Sequence, residues 1–257
     1  LAARLKIPLD PIGGIMMAVT DEQERQLEAA EKNAHANRVT DVRILSAAEI
    51  REREPNASPD VRGGLLVPGE SLVDPFMASI AYAEIALANG VDILLGADIA
   101  GVELGQPPGA PLHHLVTADG HRLPAHRIVN AAGLGSRRLA DGYGGGAFDI
   151  NPRRGQFLLF DKSARPLVQH ILLPVPTAHT KGVLVSPTIF GNLLAGPTAE
   201  DLPLDDPAAT HTTVEGIGRI MEGGSRLVEG LARQPIIATY AGARCACSQG
   251  SYVIRYN

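Results

Sequence analysis

Arg127-Ile-Val-Asn-Ala-Ala-Gly133, continued by Leu134-Gly-Ser-Arg-Arg-Leu-Ala-Asp141, is the stretch on which the reading of this chain turns. Ile128 and Val129 predict a buried strand. Asn130 to Gly133 then carry little or no side-chain bulk, so a ligand can approach the backbone closely there. The amphipathic segment that follows predicts a helix, and the exposed N–H groups opening a helix suit a phosphate. The plain alternative is a sheet-to-helix turn whose small residues only allow close packing, and the local pattern by itself favours it. The rest of the chain has to decide.

Upstream, residues 12–19 predict a buried strand with the Gly13-Gly14 pair at a turn or bulge. Thr20-Asp-Glu-Gln23 reads as a capping box for a surface helix to about Asn37, with only Leu27, Ala30 and Ala34 on its apolar face. Ser46-Ala-Ala-Glu49 is a second capping box, for a short helix that Pro55 ends. Residues 61–67 are strand-like. Asp74 and Pro75 suit the N-cap and first position of a helix to about Asn89, with Phe76, Ile80, Ala83 and Leu87 on one face. Residues 91–95 and 98–103 read as strands, followed by a Pro/Gly loop over 105–111. Strand signals return at 114–117 and 127–130, with Asp119-Gly120 at a hairpin turn.

Downstream of Arg154 the texture changes to short β-rich runs: 156–160, 170–174, 182–186, 192–195, 236–240 and 252–255. That spacing predicts an antiparallel sheet. One helix interrupts it, from about Pro207 to Val228, and Gly223-Gly224 are expected to weaken or kink it.

With 257 residues, 45% apolar and 20% charged, the composition is that of a globular protein with one large or two modest domains. The net charge of −5 and the scattered basic residues argue against nucleic acid. The two cysteines, Cys245 and Cys247, are too few for a disulfide framework and lack the further ligands of a structural zinc site. They fit a reducing cytoplasm. No apolar run approaches a spanning helix, which leaves peripheral membrane contact open. His113, His114, His121 and His126 match no ligand spacing and predict an exposed hairpin, so no metal is expected. The start at Leu1 inside a helix-like segment and the end just after a strand-like one predict a fragment.

Asn130-Ala-Ala-Gly133 after a short strand resembles the second flavin-contacting segment of FAD-dependent oxidoreductases of the D-amino-acid-oxidase superfamily. Within it, the chain is most similar to the glycerol-3-phosphate dehydrogenase and L-2-hydroxyglutarate oxidase branch. Supporting pieces are Pro68-Gly-Glu-Ser-Leu-Val-Asp-Pro75, Arg154-Gly-Gln156, Leu173-Pro-Val-Pro-Thr177, Lys181-Gly-Val-Leu-Val-Ser-Pro-Thr188, Gly191-Asn-Leu-Leu-Ala-Gly-Pro-Thr198 and Tyr240-Ala-Gly-Ala-Arg244. They occur in the family's order over nearly the whole chain.

The resemblance implies an α+β (mixed α/β) fold: a partial FAD-binding, Rossmann-like domain over 60–150 and an antiparallel-sheet substrate domain over 1–59 and 151–257. It implies FAD contacts at Ile99, through its backbone to adenine, and at Asn130, Ala131, Ala132 and Gly133. Gly133-Leu-Gly-Ser-Arg-Arg138 is not the primary dinucleotide fingerprint, because Arg138 stands where the third glycine belongs. The family keeps that fingerprint, and its Ser/His stretch beside the flavin, upstream of the position matching Leu1. The chain alone is therefore expected to bind FAD poorly.

For substrate, the resemblance points to Arg154 and Gln156 at the entrance of the sheet roofing the site, and to Arg244 facing the flavin. A guanidinium is always charged and meets carboxylate or phosphate through a fork of donors. Thr188 and Asn192 either line the pocket or shape a turn. The implied reaction is oxidation of the C–OH of a small anionic substrate by hydride transfer to flavin, of the glycerol-3-phosphate dehydrogenase type or, alternatively, of the L-2-hydroxyglutarate oxidase type. An electron acceptor completes either cycle. A different class of reading is a catalytically inert α+β module that docks on a partner.

Overall fold

The computed structural model describes residues 1–105, 112–145, 148–177, 182–203, 209–247 and 254. In chain order its elements are α1 (Ala2–Leu5), β1 (Leu9–Asp10), β2 (Gly14–Ala18), α2 (Asp21–Ala36), β3 (Arg43–Ser46), α3 (Ala47–Arg53), β4 (Gly63–Val67), β5 (Leu72–Val73) and α4 (Pro75–Ala88). Then follow β6 (Ile99–Glu103), β7 (His113–Thr117), β8 (Arg122–Ala125), α5 (Ser136–Gly142), β9 (Ile150–Phe160), β10 (Ile171–Pro174), β11 (Leu184–Pro187), β12 (Leu193–Gly196), β13 (Glu200–Asp201), α6 (Val214–Ser225) and β14 (Ile236–Cys247). The chain divides into two compact units, one of residues 1–86, 155–199 and 210–242, the other of residues 87–154, 200–209 and 243–257.

The first unit is built on a sheet whose strands run β9-β12-β11-β10-β2-β4-β3. All neighbours are antiparallel except β2 and β10, which run parallel from Gly14↔Ile171 to Met17↔Pro174. The expected antiparallel sheet is therefore mixed. Alternation along β2 feeds two cores. Ile15 and Met17 join Leu158, Phe160, Leu172, Val185, Leu193 and Ile220 on one face. Ala18 joins Leu27, Leu65 and Val175 on the other, with Met16, Ala30 and Ala34 packed against them. Helix α2 covers this second face through the narrow stripe read from its sequence.

Local signals set the helix starts. Thr20 accepts from the Gln23 N–H, and the Gln23 side chain reaches back to the Val19 N–H at 2.8 Å. Ser46 and Glu49 form a reciprocal capping box on α3. Asp74 accepts from the N–H groups of Phe76 and Met77 at 2.9 and 3.2 Å, opening α4. The expected apolar face of α4 is not buried: Phe76, Ile80 and Leu87 are exposed, and Ala81 alone of the helix is buried. The helix expected from about Pro207, a residue outside those described, is capped by Thr213 and begins at Val214. It runs through Gly223 and Gly224 to Ser225. A Cβ at these positions would lie 2.9 Å from Val183 and 2.6 Å from Leu231, so both glycines serve close packing.

In the second unit β6, β7 and β8 form a three-stranded antiparallel meander, its β7–β8 hairpin turning at Gly120 with φ +88° as expected. Strand β9 begins here, where Arg153 and Arg154 pair with Asp201 and Glu200 of β13. Two expected strands, 91–95 and 127–130, do not form: neither segment has regular strand structure or a strand partner among the described residues, and Leu95 lies in a turn. Apolar composition favours a strand only where a neighbouring strand and a packed face are present, and Leu95 and Val129 stay 90% and 89% exposed. Most of the expected 105–111 loop and all of the 252–255 strand but Ile254 lie outside the described residues. Among the described residues no helix is long and apolar enough to cross a membrane.

Candidate functional site

Four of the five residues expected to meet the cofactor line one cavity of the second unit. Ile99, Asn130, Ala131 and Ala132 surround a space of about 400 Å³, together with Val102, Leu115, Ile128 and Leu139. The meander brings Ile99 to this wall, and the chain leaving β8 brings the rest. Asn130 shapes the turn: its Oδ1 accepts from the Ala132 N–H at 3.3 Å and its Nδ2 donates to the Ser136 carbonyl at 2.9 Å. A short polar side chain of this kind folds its own backbone into a turn. Gly133 follows with φ +57°, a conformation that suits glycine, and nothing lies within 4 Å of where its Cβ would be. The Ile99 carbonyl accepts from Arg138 Nη2 at 3.1 Å, which ties α5 to β6.

These features fit the adenosine portion of a dinucleotide. The lining is largely apolar, the small residues leave the backbone approachable, and the volume sits at the low end of about 300–1,000 Å³ for small-molecule sites.

The residues expected at the substrate have different surroundings. On β9 the even positions point inward, so Arg154, Gln156, Leu158 and Phe160 are all buried. Within the second unit Arg154 Nη2 meets Glu200 Oε2 at 2.7 Å, both side chains largely shielded from solvent. The neighbouring Arg153–Asp201 pair, at 2.6 Å, lies on the exposed face; hydrogen bonding from Arg153 lowers the Asp201 pKa. Within the first unit the Gln156 Oε1 accepts from the Thr213 N–H at 2.7 Å, and its Nε2 donates to Thr213 Oγ1 at 3.2 Å. Arg244 is exposed on β14 and forms no ion pair among the described residues.

Glu200 and Thr213 were not singled out from sequence. Neither carries a local signal, since each lies 46 or more residues along the chain from the side chain it meets. Thr188 and Asn192 shape the turn between β11 and β12: the Asn192 N–H donates to Thr188 Oγ1, and Asn192 Nδ2 donates to the Phe160 carbonyl at 2.9 Å. His113 Nδ1 accepts from the Gly105 N–H at 3.1 Å, and His121 lies 3.6 Å from Asp119 beside the hairpin turn.

Comparison with known proteins follows the same lines. The sequence profile of the family described as DAO, FAD dependent oxidoreductase, matches residues 1–257. A glycerol 3-phosphate dehydrogenase of Caloramator mitchellensis is 32% identical over 254 residues, 99% of this chain and 52% of that protein. An L-2-hydroxyglutarate dehydrogenase of Escherichia coli K12 is 28% identical over 196 residues, 75% of this chain and 45% of that protein. The chain thus spans about half the length of these curated relatives. Among solved structures, dithionite-reduced L-alpha-glycerophosphate oxidase of Mycoplasma pneumoniae with FAD bound superposes with a TM-score of 0.88 at 26% identity, over 97% of this chain and 65% of that one.

Proposed function

This chain belongs to the FAD dependent oxidoreductase family, and we propose that it forms part of an enzyme oxidising the C–OH of a small anionic substrate, with glycerol 3-phosphate as that substrate. The observation carrying this reading is the likeness to a glycerol 3-phosphate dehydrogenase along 99% of the chain. The fold likeness to a glycerophosphate oxidase supports it.

In this reading residues 60–150 belong to the cofactor domain, and residues 1–59 and 151–257 to the substrate domain. Ile99 and Asn130 to Gly133 hold FAD, their fit resting on the shared apolar cavity and the open space at Gly133. When bound, FAD supplies the acceptor for a hydride. Arg244 neutralises the phosphate or carboxylate of the substrate, since its fork of donors is exposed and has no carboxylate partner among the described residues. Arg154 and Gln156 frame the substrate side. Their bonds to Glu200 and Thr213 restrict both to fixed rotamers, which suits orientation more than neutralisation. The two free cysteines support a cytoplasmic location.

A second reading, L-2-hydroxyglutarate oxidation, is favoured by the 28% identity to an L-2-hydroxyglutarate dehydrogenase. Visible absorbance of the gene product carrying this chain, reconstituted with FAD and mixed anaerobically with glycerol 3-phosphate, separates the readings. Flavin bands that bleach are expected. Bands that bleach only with 2-hydroxyglutarate favour the second reading, and failure to take up FAD at all favours an inert docking module.

A further inference from the structure

We infer that Cys245 and Cys247 form a two-thiol site for a thiophilic divalent cation of the zinc and cadmium class. Both lie within β14, both are free, and they are exposed and half-buried respectively. Residues i and i+2 of a strand stand on one face, so the two thiols share a side of β14 and Arg244 takes the other.

The spacing distinguishes a bridging cation from a disulfide. A rise of about 3.3 Å per residue sets the two Cα atoms, and the nearly parallel Cβ atoms, about 6.6 Å apart. A disulfide needs Cβ atoms about 3.8 Å apart, so regular strand geometry keeps the thiols from bonding to each other. With metal–sulfur bonds of about 2.3 Å, a tetrahedral ion holds two sulfurs about 3.8 Å apart, and leaning both side chains inward reaches that distance.

Among the described residues no group of three or more His, Cys, Asp or Glu could hold a metal ion. The site is therefore open, with two thiolates from the protein and the remaining positions filled by water or a small ligand. Sulfur ligands select zinc or cadmium over magnesium or calcium, which prefer oxygen. Each cation bound displaces the two thiol protons, leaving a neutral bis-thiolate complex. None of this depends on the flavin reading.

Cadmium titration of the 257-residue chain tests the site, following the ultraviolet thiolate-to-cadmium charge-transfer band in the wild type and in C245S, C247S and the double variant. One cadmium per chain is expected, with a saturating band about twice that of either single variant and an affinity at least about tenfold higher, because two thiolates act together. Added zinc should remove the band by competition. A wild-type band or affinity matched by a single variant would overturn the inference, since the thiols would then act independently; so would a band that survives in the double variant. Unchanged far-ultraviolet circular dichroism keeps the comparison among folded proteins.

Discussion

Glu54 lies fully buried at the end of α3, and its carboxylate is fully used: it accepts from the Gln169 N–H at 2.9 Å and the His170 N–H at 2.7 Å, and meets His170 Nδ1 at 2.7 Å. Glu54→Gln keeps the shape but replaces an acceptor oxygen with a donor facing N–H groups. We expect a loss of about 2–4 kcal/mol, measured by urea unfolding, since removing one partner of a buried charged network strands the other; a loss below about 0.5 kcal/mol would show that the loop re-forms without it. Glu49 acts at the surface. The backbone N–H of Ser46, then the side chains of Arg43 and Ser46, hold its pKa down from 4.5 to about 2. A depressed carboxylate contributes stability that is present above its unfolded value and is lost as pH falls through the folded one. Carbon-detected NMR titration should place the Glu49 midpoint near 2, and Ser46→Ala should move it upward. An unchanged midpoint in that variant would remove the Ser46 hydroxyl as a cause and leave the backbone N–H and Arg43.

The elements differ in how much of themselves they showed in sequence. Thr20, Ser46 and Asp74 open their helices as read, because each cap acts within three residues. Asn130 belongs with them, its turn closed by Ala132 and Ser136. What was not legible depends on distant partners. Nothing near Arg154 or Gln156 announces Glu200, 46 residues on, or Thr213, 57 residues on. The strands expected at 91–95 and 127–130 had the composition but find no ladder among the described residues. Helix α6 offers the sharpest test, because Gly216 and Gly218 look alike in sequence. A Cβ on Gly216 would stand 2.2 Å from the Gln156 amide, whereas one on Gly218 meets nothing within 4 Å. Gly218→Ala should stabilise by about 0.5–1 kcal/mol through helix propensity. Gly216→Ala should destabilise by about 1–3 kcal/mol through overpacking against a buried side chain. Thermal unfolding of the two variants checks the sign, and equal shifts would show that Gln156 moves aside freely.

At the scale of the molecule the two units are unequal in how they are held. Both hydrophobic clusters, from Ile15 and Met17 through Phe160 to Leu231 and from Ala18 to Val175, draw only on the first unit. Among the described residues the second unit buries the apolar side chains of Leu139, Ala140 and Pro152, and otherwise Thr117 and the Arg154 that pairs with Glu200. Burial of apolar area is the dominant stabilising term, so the thin core leaves the meander and α5 resting mainly on backbone ladders and surface ion pairs such as Arg137 with Asp141. Local opening costs least where buried contacts are fewest. Hydrogen exchange should therefore find slow amides in β2, β4 and β12, and much faster ones in β6, β7, β8 and α5. A ligand that binds the folded form alone adds stability in proportion to the logarithm of its concentration over its Kd. Adenosine diphosphate, a probe for the cavity at Ile99 and Asn130, should accordingly slow exchange at 99–103 and 130–139 and leave β2 and β4 unchanged. Uniform protection of both units without ligand would contradict the unequal cores, and slowing confined to the first unit would move the nucleotide away from the Asn-Ala-Ala-Gly turn.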